Sequence, residues 1–546
     1  MYKRKKMSLI LALLMIFSIF ITACSSEEAV TTPPDETVGN AEASKYGGIY
    51  ESYIEADFNT LDPAFATAAL DGFMVSLIYD ALIGFDAEGK VMPALAKSWE
   101  TPDEVTYIFD LVDNAKFHNG NSFTANDVKY TFERVLDPEV ASPRTWVFDK
   151  LKGAEAFMEG NAAEVEGIEI LSDYKIKLTL EDPFAPFLSM LGMPAAHIVD
   201  KNEVEKYADQ TQFALHPVGT GPYIFDVYNQ GERLTLNVFE DYFAGRAFLD
   251  GINYRVIPDP STQVAEFEAG NLDELLIPAA DLERFRNNPT YRPYLRDMNT
   301  FWNFFIGLMA DKPPFDDVRV RQAFNYGVDR EAIVRAVRGD TAIVSHGPIP
   351  PGLDGFRPEF KSYPYDPEKS KALLAELGYS PENPLPIEFL HIESTANVAL
   401  LEPVQAMLNQ VGFDVNLISM ESQAARVQFR EGGSHNVYYL SWGADYPDAE
   451  NYLFPLFHSS NWGGGGNGTR YSNPEVDALL EKAHKTANYN ERIKLYQDIE
   501  DIVVEEAARM WFFLSRNWRV YKPEVKDVVL YRIFNANKML DVWLDR

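Results

Sequence analysis

The chain is poor in cysteine and in positive charge. It has one cysteine among 546 residues, Cys24, which excludes an intramolecular disulfide and a thiolate cluster for a metal ion. Its 49 lysines and arginines are outnumbered by 82 aspartates and glutamates, and the formal net charge is -33. A protein this acidic repels the phosphate backbone of nucleic acids and anionic lipid headgroups. We therefore expect no nucleic-acid partner.

The common sequence motifs of catalysis are also missing. There is no His-Glu-x-x-His run, no Gly-x-Ser-x-Gly elbow and no phosphate-binding loop of the Gly-x4-Gly-Lys-Ser/Thr type. The eight histidines include no pair spaced four residues apart, which is the spacing of two metal ligands on one helix face. These absences predict a protein that is not an enzyme and that needs neither a metal nor a cofactor.

The first residues have the pattern of a secretory signal. Four basic residues at positions 3–6 precede an apolar run that ends at Ala23. This run is shorter than the roughly 20 apolar residues of a membrane-spanning helix. We expect residues 1–23 to be a signal peptide.

The sequence ITAC, which ends at Cys24, resembles a bacterial lipobox. The resemblance implies that Cys24 is lipidated, begins the mature chain and holds the protein on the outer face of the bacterial cell membrane. Residues 24–45 contain Pro33 and Pro34 but few large apolar side chains, so they predict a disordered tether.

The rest of the chain is long enough for about three lobes of roughly 150 residues, and its patterning predicts an α/β protein. Alternating apolar residues at 174–180 and 234–238 indicate strands. Asp366, which precedes a proline, predicts the start of a helix, and the apolar residues at 400–411 predict another that ends at Gly412. Strands and helices alternate from there to residue 443.

The stretch LSWGADYPDAENY, residues 440–452, directly follows a predicted strand. Ligands of open α/β sheets bind beyond the carboxyl ends of strands, so this stretch is a candidate site. Its acids, Asp445, Asp448 and Glu450, lie among aromatic residues. Two carboxylates could act as the acid and base of a glycosidase, and a secreted hydrolase that uses Asp445 and Glu450 is one alternative.

Several segments together resemble the extracellular solute-binding proteins of family 5, the oligopeptide- and dipeptide-binding proteins of ABC importers. They follow in the family's order and cover almost all of the chain after the tether. These segments are FNTLDPA (58–64), LAKSWETPDEVTYIFDLVDNAKFHNGNSFTANDVKYTFERV (95–135), VGTGPY (218–223), DVRVRQAFNYGVDRE (317–331) and SWGADYPDAENYLFPLF (441–457).

The resemblance implies an α/β fold of the two-lobe, type II periplasmic-binding-protein kind, with an extra subdomain on the first lobe and two hinge crossings. We expect the crossings near residues 299–305 and 511–514. The implied boundaries are 46–80 and 198–300 for the core of lobe I, 81–197 for the extra subdomain, 301–512 for lobe II and 513–546 for a C-terminal return to lobe I.

The resemblance also implies how a peptide is held. Asp445 matches the family position whose carboxylate receives the α-ammonium group of the peptide. Backbone groups near Thr67 and Ala69 in the first lobe, and near Ser441 and Gly443 in the second, would hold the peptide main chain. Two aromatic residues could wall the pocket, although aromatic residues beside a strand end are more often core: Trp442 and Tyr446.

At the carboxylate end of the ligand the sequence departs from other members. Where some members have an arginine three residues before the motif's tryptophan, this chain has Tyr439. The arginine that fixes a dipeptide's carboxylate elsewhere falls near His391, and a histidine is a weaker, pH-sensitive partner. Arg426 is another candidate cation, or a solvated helix residue. The length of the peptide therefore stays open.

These points predict a monomeric, membrane-tethered receptor that captures a short peptide between two lobes and delivers it to the permease subunits of an ABC importer. The energy for transport would come from a separate ATPase, because the chain has no nucleotide-binding motif. A nickel complex, haem or another small solute is the alternative cargo, since a fold does not fix the ligand.

Overall fold

The computed structural model describes residues 45–207, 210–463 and 466–546. The predicted signal peptide, Cys24 and the predicted tether up to residue 44 lie outside the described residues. Within the described ranges, no helix combines the length and the apolar character that crossing a membrane requires.

The strands fall into sheets that each collect a different part of the chain. Their bounds are β1 Ile49–Ile54, β2 Ile83–Phe85, β3 Val91–Pro93, β4 Ala96–Glu100, β5 Thr106–Leu111, β6 Ile168–Ser172, β7 Lys175–Thr179, β8 Tyr223–Asn229, β9 Arg233–Val238, β10 Gly251–Val256, β11 Glu274–Leu276, β12 Leu295–Leu308, β13 Ala342–Val344, β14 Leu385–Ile392, β15 Phe413–Met420, β16 Val437–Gly443, β17 Arg509–Tyr521, β18 Val525–Lys526 and β19 Trp543–Leu544.

The longest helices lie in the second half of the chain. The α-helices are α1 Ala69–Ile78, α2 Ala125–Leu136, α3 Ala154–Met158, α4 Phe187–Met190, α5 Lys201–Val204, α6 Gln210–Leu215, α7 Pro260–Ala269, α8 Leu282–Asn287, α9 Val318–Tyr326, α10 Arg330–Val337, α11 Pro367–Ala375, α12 Thr395–Val411, α13 Ser422–Glu431, α14 Glu450–Phe457, α15 Pro474–His484 and α16 Tyr489–Glu505. Short 3-10 turns occupy Pro63–Phe65, Thr145–Val147, Pro194–Ala196, Ala279–Asp281, Arg292–Tyr294, Gly339–Thr341 and Ser459–Asn461.

Two four-stranded sheets form in the first half of the chain. One has the order β1-β10-β9-β8, with β1 parallel to β10 and the other pairs antiparallel. The other has the order β4-β5-β7-β6 and is antiparallel throughout. The strands predicted at 174–180 and 234–238 are confirmed as β7 and β9, because alternate residues such as Ile176 and Leu234 bury one face of each sheet.

The seven-stranded sheet collects strands from residue 274 onward. Its order is β11-β17-β12-β16-β14-β15, and β13 also pairs with β17. Strands β14, β15 and β16 are connected through α12 and α13, and β14 runs parallel to both of its neighbours. The predicted alternation of strands and helices is therefore confirmed in this part of the chain.

The predicted helix boundaries are confirmed by their caps. The Asp366 carboxylate accepts a hydrogen bond from the Lys369 backbone N–H at 2.9 Å and begins α11. Helix α12 buries Leu400 and Leu408 and ends at Gly412, whose φ of +118° suits a residue without a Cβ.

Two long strands run through the seven-stranded sheet. β12 and β17 pair antiparallel from Leu295 to Gly307, with a shift of register between Asn299 and Asn303. Toward one end β17 pairs with β11, and toward the other β12 pairs with β16. The crossings expected at 299–305 and 511–514 fall within these two strands, and the lobe boundaries drawn from the sequence stay a prediction.

The C-terminal segment returns to the first sheet. Met539, Val542 and Leu544 are buried in the same apolar cluster as Tyr50 of β1 and Ile252 of β10. Burial of these side chains joins the end of the chain to its beginning.

Candidate functional site

The predicted site begins at the open edge of β16. Along its whole length β16 pairs with β12, but on its other side it pairs with β14 only at Val437 and Tyr438. In the described part of the chain, no strand pairs with the second side of residues 439–443. This half of β16, which contains Ser441 and Gly443, is an edge to which an extended peptide could add as a further strand.

A tryptophan covers the end of this edge. A Cβ atom on Gly443 would lie 2.2 Å from the ring of Trp302 on β12, so only glycine lets the ring pack this closely. The Trp302 side chain itself is exposed. Trp302 could not be selected from the sequence, because its contact with Gly443 depends on pairing between strands that are far apart in the chain.

Asp445 lies just beyond β16, in a turn held by Asn451. The Asp445 backbone N–H donates to Asn451 Oδ1 at 2.9 Å. The Asp445 side chain keeps 27% of its surface exposed. Loss of surrounding water raises the pKa of the Asp445 carboxyl, and the Arg144 charge and a hydrogen bond with Asn451 oppose that rise. The carboxylate is therefore within reach of a ligand but only partly compensated by the protein.

The cation opposite Asp445 is Arg144, which the sequence reasoning missed. Its Nη1 lies 4.0 Å from Asp445 Oδ1. Its Nε donates to the Ala66 carbonyl and its Nη2 to the Thr67 carbonyl, both at 3.0 Å. Arg144 thus lies between Thr67 and Asp445, two residues that the resemblance places at the ligand. A lone arginine in the segment ASPRTW carries no signal that could have revealed this.

The aromatic residues of the motif are mainly structural. Trp442 is half-buried, and its Nε1 donates to the Asn451 carbonyl at 2.8 Å. Tyr446 is only 2% exposed, and its hydroxyl donates to Glu450. Its ring packs into the core, which is the more common place for an aromatic residue beside a strand end, and a role in the pocket wall stays a prediction.

Glu450 belongs to the same buried network. One oxygen accepts from Tyr446 and the other from His484 Nε2, at 2.8 Å for the histidine. A carboxylate that is buried and bonded at both oxygens is not placed to attack a substrate or to activate water. The geometry therefore argues against the hydrolase alternative.

The three residues considered for the ligand's carboxylate are not brought to Asp445. Tyr439 is buried and stacks with Phe304, at 6.0 Å between ring centroids. His391 is 3% exposed, and its Nδ1 donates to the Ile392 carbonyl at 3.0 Å. The burial of the Tyr439 and His391 side chains argues against direct contact between them and a ligand. Arg426 lies on the exposed side of α13 and contacts Ser422 of the same helix.

A cavity of about 490 Å³ adjoins the open edge. Ala69 at the start of α1, Trp302 and Ala444 line it, together with parts of β1, β12 and β17. Two of the charged side chains that line it form a pair, since Arg519 donates to Glu274 at 2.7 Å. Volumes of roughly 300–1,000 Å³ are typical of small-ligand sites. The predicted residue Ala69 and the neighbour of Asp445 therefore share one cavity.

Among the described residues, no group of three or more histidine, cysteine, aspartate or glutamate side chains is arranged to hold a metal ion. The cavity is lined instead by aromatic surface and by charged side chains such as Glu274 and Arg519.

Comparison with known protein families gives one match over most of the chain. Residues 90–464 match the model described as bacterial extracellular solute-binding proteins, family 5 Middle. The chain is 33% identical over 478 residues to the Heme-binding protein A of Haemophilus influenzae, covering 83% of this chain and 84% of that protein. It is 31% identical over 471 residues to the Glutathione-binding protein GsiB of Pectobacterium atrosepticum, covering 85% of this chain and 87% of that protein.

Solved structures have the same fold. The periplasmic binding protein DppA from Helicobacter pylori, in complex with the peptide STSA, superposes with a TM-score of 0.79 at 27% identity, over 93% of this chain and 100% of that one. NikZ from Campylobacter jejuni, in complex with Ni(L-His), gives a TM-score of 0.77 at 25% identity, over 91% and 99%. The expected α/β, two-lobe fold is confirmed by these similarities.

Proposed function

The chain belongs to the bacterial extracellular solute-binding proteins of family 5, which are substrate-binding proteins of ABC importers, and we propose that its solute is a short peptide. The peptide is captured in the cleft between the two lobes and delivered to the permease subunits. The protein performs no chemistry on it.

The observation that carries this proposal is the one-sided pairing of β16 at residues 439–443, next to Asp445. A free strand edge bonds the main chain of any extended peptide, whatever its side chains. The carboxylate of Asp445 at the end of this edge fixes which end of the peptide lies there, because it prefers an ammonium group.

The two long strands β12 and β17 supply the hinge in this proposal. Closure of the lobes removes water from the cleft, which strengthens the interaction between Asp445 and the ammonium group. A ligand that contacts both lobes selects the closed form, which the permease recognises. Lipidation of Cys24 keeps the monomeric receptor at the outer face of the membrane.

The alternative cargo is a haem, a nickel complex or another small solute. The similar proteins are the reason to retain this alternative: one is named for haem, and NikZ was solved with Ni(L-His). Other relatives are named for glutathione, which is itself a short peptide with a γ linkage. The open edge of β16 favours a peptide over haem. The unpaired N–H and C=O groups along this edge need hydrogen-bond partners that are spaced like those of another strand, and the flat haem macrocycle does not have them.

Isothermal titration calorimetry tests the proposal. The protein is titrated with a mixed pool of peptides of two to ten residues, with haem and with the nickel–histidine complex. Peptide binding that weakens in Asp445→Asn is the expected result. If haem or the nickel complex binds and the peptide pool gives no heat, the peptide proposal is wrong and the solute is the alternative cargo.

A further inference from the structure

Arg509, at the start of β17, is a buried cation with few partners. The residue is only 2% exposed, and its Nη2 donates to the Leu456 carbonyl at 2.9 Å. Among the described residues, its Nε and Nη1 have no hydrogen-bond partner, although both atoms are buried. Buried N–H groups are normally hydrogen-bonded, because a donor that leaves water and stays unpaired destabilises the fold. The surroundings of these two nitrogens therefore need an explanation.

Other buried arginines have the partners that Arg509 lacks. Arg134 forms a bidentate pair with Asp62, with nitrogen–oxygen distances of 2.9 and 2.6 Å. Arg330 donates to three backbone carbonyls. In contrast, no acidic side chain in the described part of the chain stabilises the charge of Arg509, and removal from water lowers the pKa of its guanidinium to about 9. At neutral pH the guanidinium is still a cation.

Aromatic rings surround this guanidinium. Its Cζ atom lies 4.4 Å from the ring centroid of Phe305 and 5.3 Å from that of Phe457. Trp511, two residues further along β17 and on the same face of the sheet, packs against the same two rings, at 5.3 and 6.3 Å between centroids. Its Nε1 is also buried and has no hydrogen-bond partner in the described ranges. One apolar cluster thus contains three unpartnered donor nitrogens and a positive charge.

The neighbouring groups compensate only part of this charge. Leu456 lies in the last turn of α14, and the carbonyls at a helix C-terminus together carry about half of a unit negative charge. The faces of Phe305 and Phe457 attract a cation only weakly. A charge left uncompensated in the interior strongly destabilises a protein. An anion beside the guanidinium neutralises the charge and accepts hydrogen bonds from the free donors.

We propose that Arg509 and Trp511 hold a small monovalent anion of the chloride class in the interior of the protein. The anion accepts hydrogen bonds from Nε and Nη1 of Arg509 and from Nε1 of Trp511. A halide suits this setting better than a carboxylate or a phosphate, because the extra oxygen atoms of those ions would need further donors among apolar rings. The ion stabilises the fold and has no part in the capture of the peptide, so this inference goes beyond the proposed function.

Thermal unfolding of the full chain tests for the anion. The protein is unfolded and refolded without halide, so that an interior ion is removed. Its Tm is then compared in sodium chloride and in sodium sulfate at an equal ionic strength of about 0.15 M, which keeps the screening of charges the same. An ion that binds only the folded state raises Tm, and we expect a Tm at least about 2 °C higher in chloride. General salt effects run in the opposite direction, because sulfate stabilises folded proteins.

Arg509→Met separates an anion site from an arginine that only fills space. The variant should lose the difference in Tm between the two salts. In sulfate its Tm should equal or exceed that of the wild type, since an apolar side chain replaces an uncompensated buried charge. Arg255→Met is the matched control, because it removes an arginine that is already paired with Glu266 at 2.7 Å, and it should keep the full effect of chloride.

Crystals of the wild-type protein grown in sodium bromide locate the ion without a mutation. Anomalous scattering should place a bromide peak in contact with the Arg509 guanidinium and the Trp511 indole nitrogen. Three results would overturn the inference: a Tm that does not rise in chloride, a chloride effect that Arg509→Met retains, or bromide peaks that lie only on the protein surface.

Discussion

Replacement of Asp445 by asparagine isolates the charge that the proposed site depends on. Asparagine keeps the size of the side chain and one neutral acceptor, so the direct contact with the ammonium group is weakened rather than abolished. Hydrogen bonds to charged groups contribute about 1.5–3 kcal/mol and are roughly twice as strong as neutral ones, which gives a loss of about 1–1.5 kcal/mol.

The substitution also removes the attraction between the Asp445 carboxylate charge and the ammonium charge, which offsets the repulsion from Arg144, 4.0 Å from the carboxylate. Two unit charges about 4 Å apart interact by about 4 kcal/mol at an effective dielectric constant of 20. With 27% of the Asp445 side chain exposed, we reduce that figure by about half for solvent screening and salt. The two contributions sum to about 3 kcal/mol, which is more than a hundredfold in Kd.

Calorimetry with the best-binding peptide measures this loss. Asp414→Asn is the control, because Asp414 lies on the exposed face of β15. The Tm of Asp445→Asn should stay within about 4 °C of wild type, since an open ion pair contributes little to folding. A change in Kd of less than about threefold, or one matched by Asp414→Asn, would refute the reasoning.

Three further predictions follow from the same geometry. First, burial raises the pKa of Asp445 in the free protein and a bound ammonium group lowers it, so the ligand selects the ionised form. Kd should therefore be constant above the free-state pKa and rise about tenfold per pH unit below it, with no such rise in Asp445→Asn when calorimetry is repeated across the acid range. Second, Gly443→Ala places a Cβ 2.2 Å from the Trp302 ring, and should lower the free energy of unfolding by about 1–3 kcal/mol and weaken peptide binding. Gly84→Ala, where the nearest atom is 4.0 Å away, should change neither denaturant unfolding nor affinity. Third, Glu450→Gln weakens a buried network and should cost about 1–3 kcal/mol in denaturant unfolding, while peptide affinity stays within about twofold; a large loss of affinity at unchanged stability would mean that Glu450 contacts the ligand.

Local structure was readable from the sequence because it depends on neighbours in the chain. The alternation in β9, the Asp366 cap and the apolar spacing of α12 each involve residues within one or two turns of one another. The two-lobe fold was reached through resemblance, and the structural similarities confirm it.

The remaining features depend on contacts between distant segments. Arg144 meets Asp445 only after the chain has folded, and Trp302 meets Gly443 only through the register of β12 with β16. Neither is visible in local composition. The burial of Tyr446 was also decided by packing, since a tyrosine beside a strand end fits a pocket wall or a core equally well in sequence.

The most direct test of the central claim is native mass spectrometry of the protein isolated from its own cells, followed by release and sequencing of whatever is bound. We predict a mass excess that corresponds to short peptides and that is lost in Asp445→Asn. A bound haem or metal complex, or an empty protein that also gives no heat with a mixed peptide pool, would contradict the assignment as a peptide receptor.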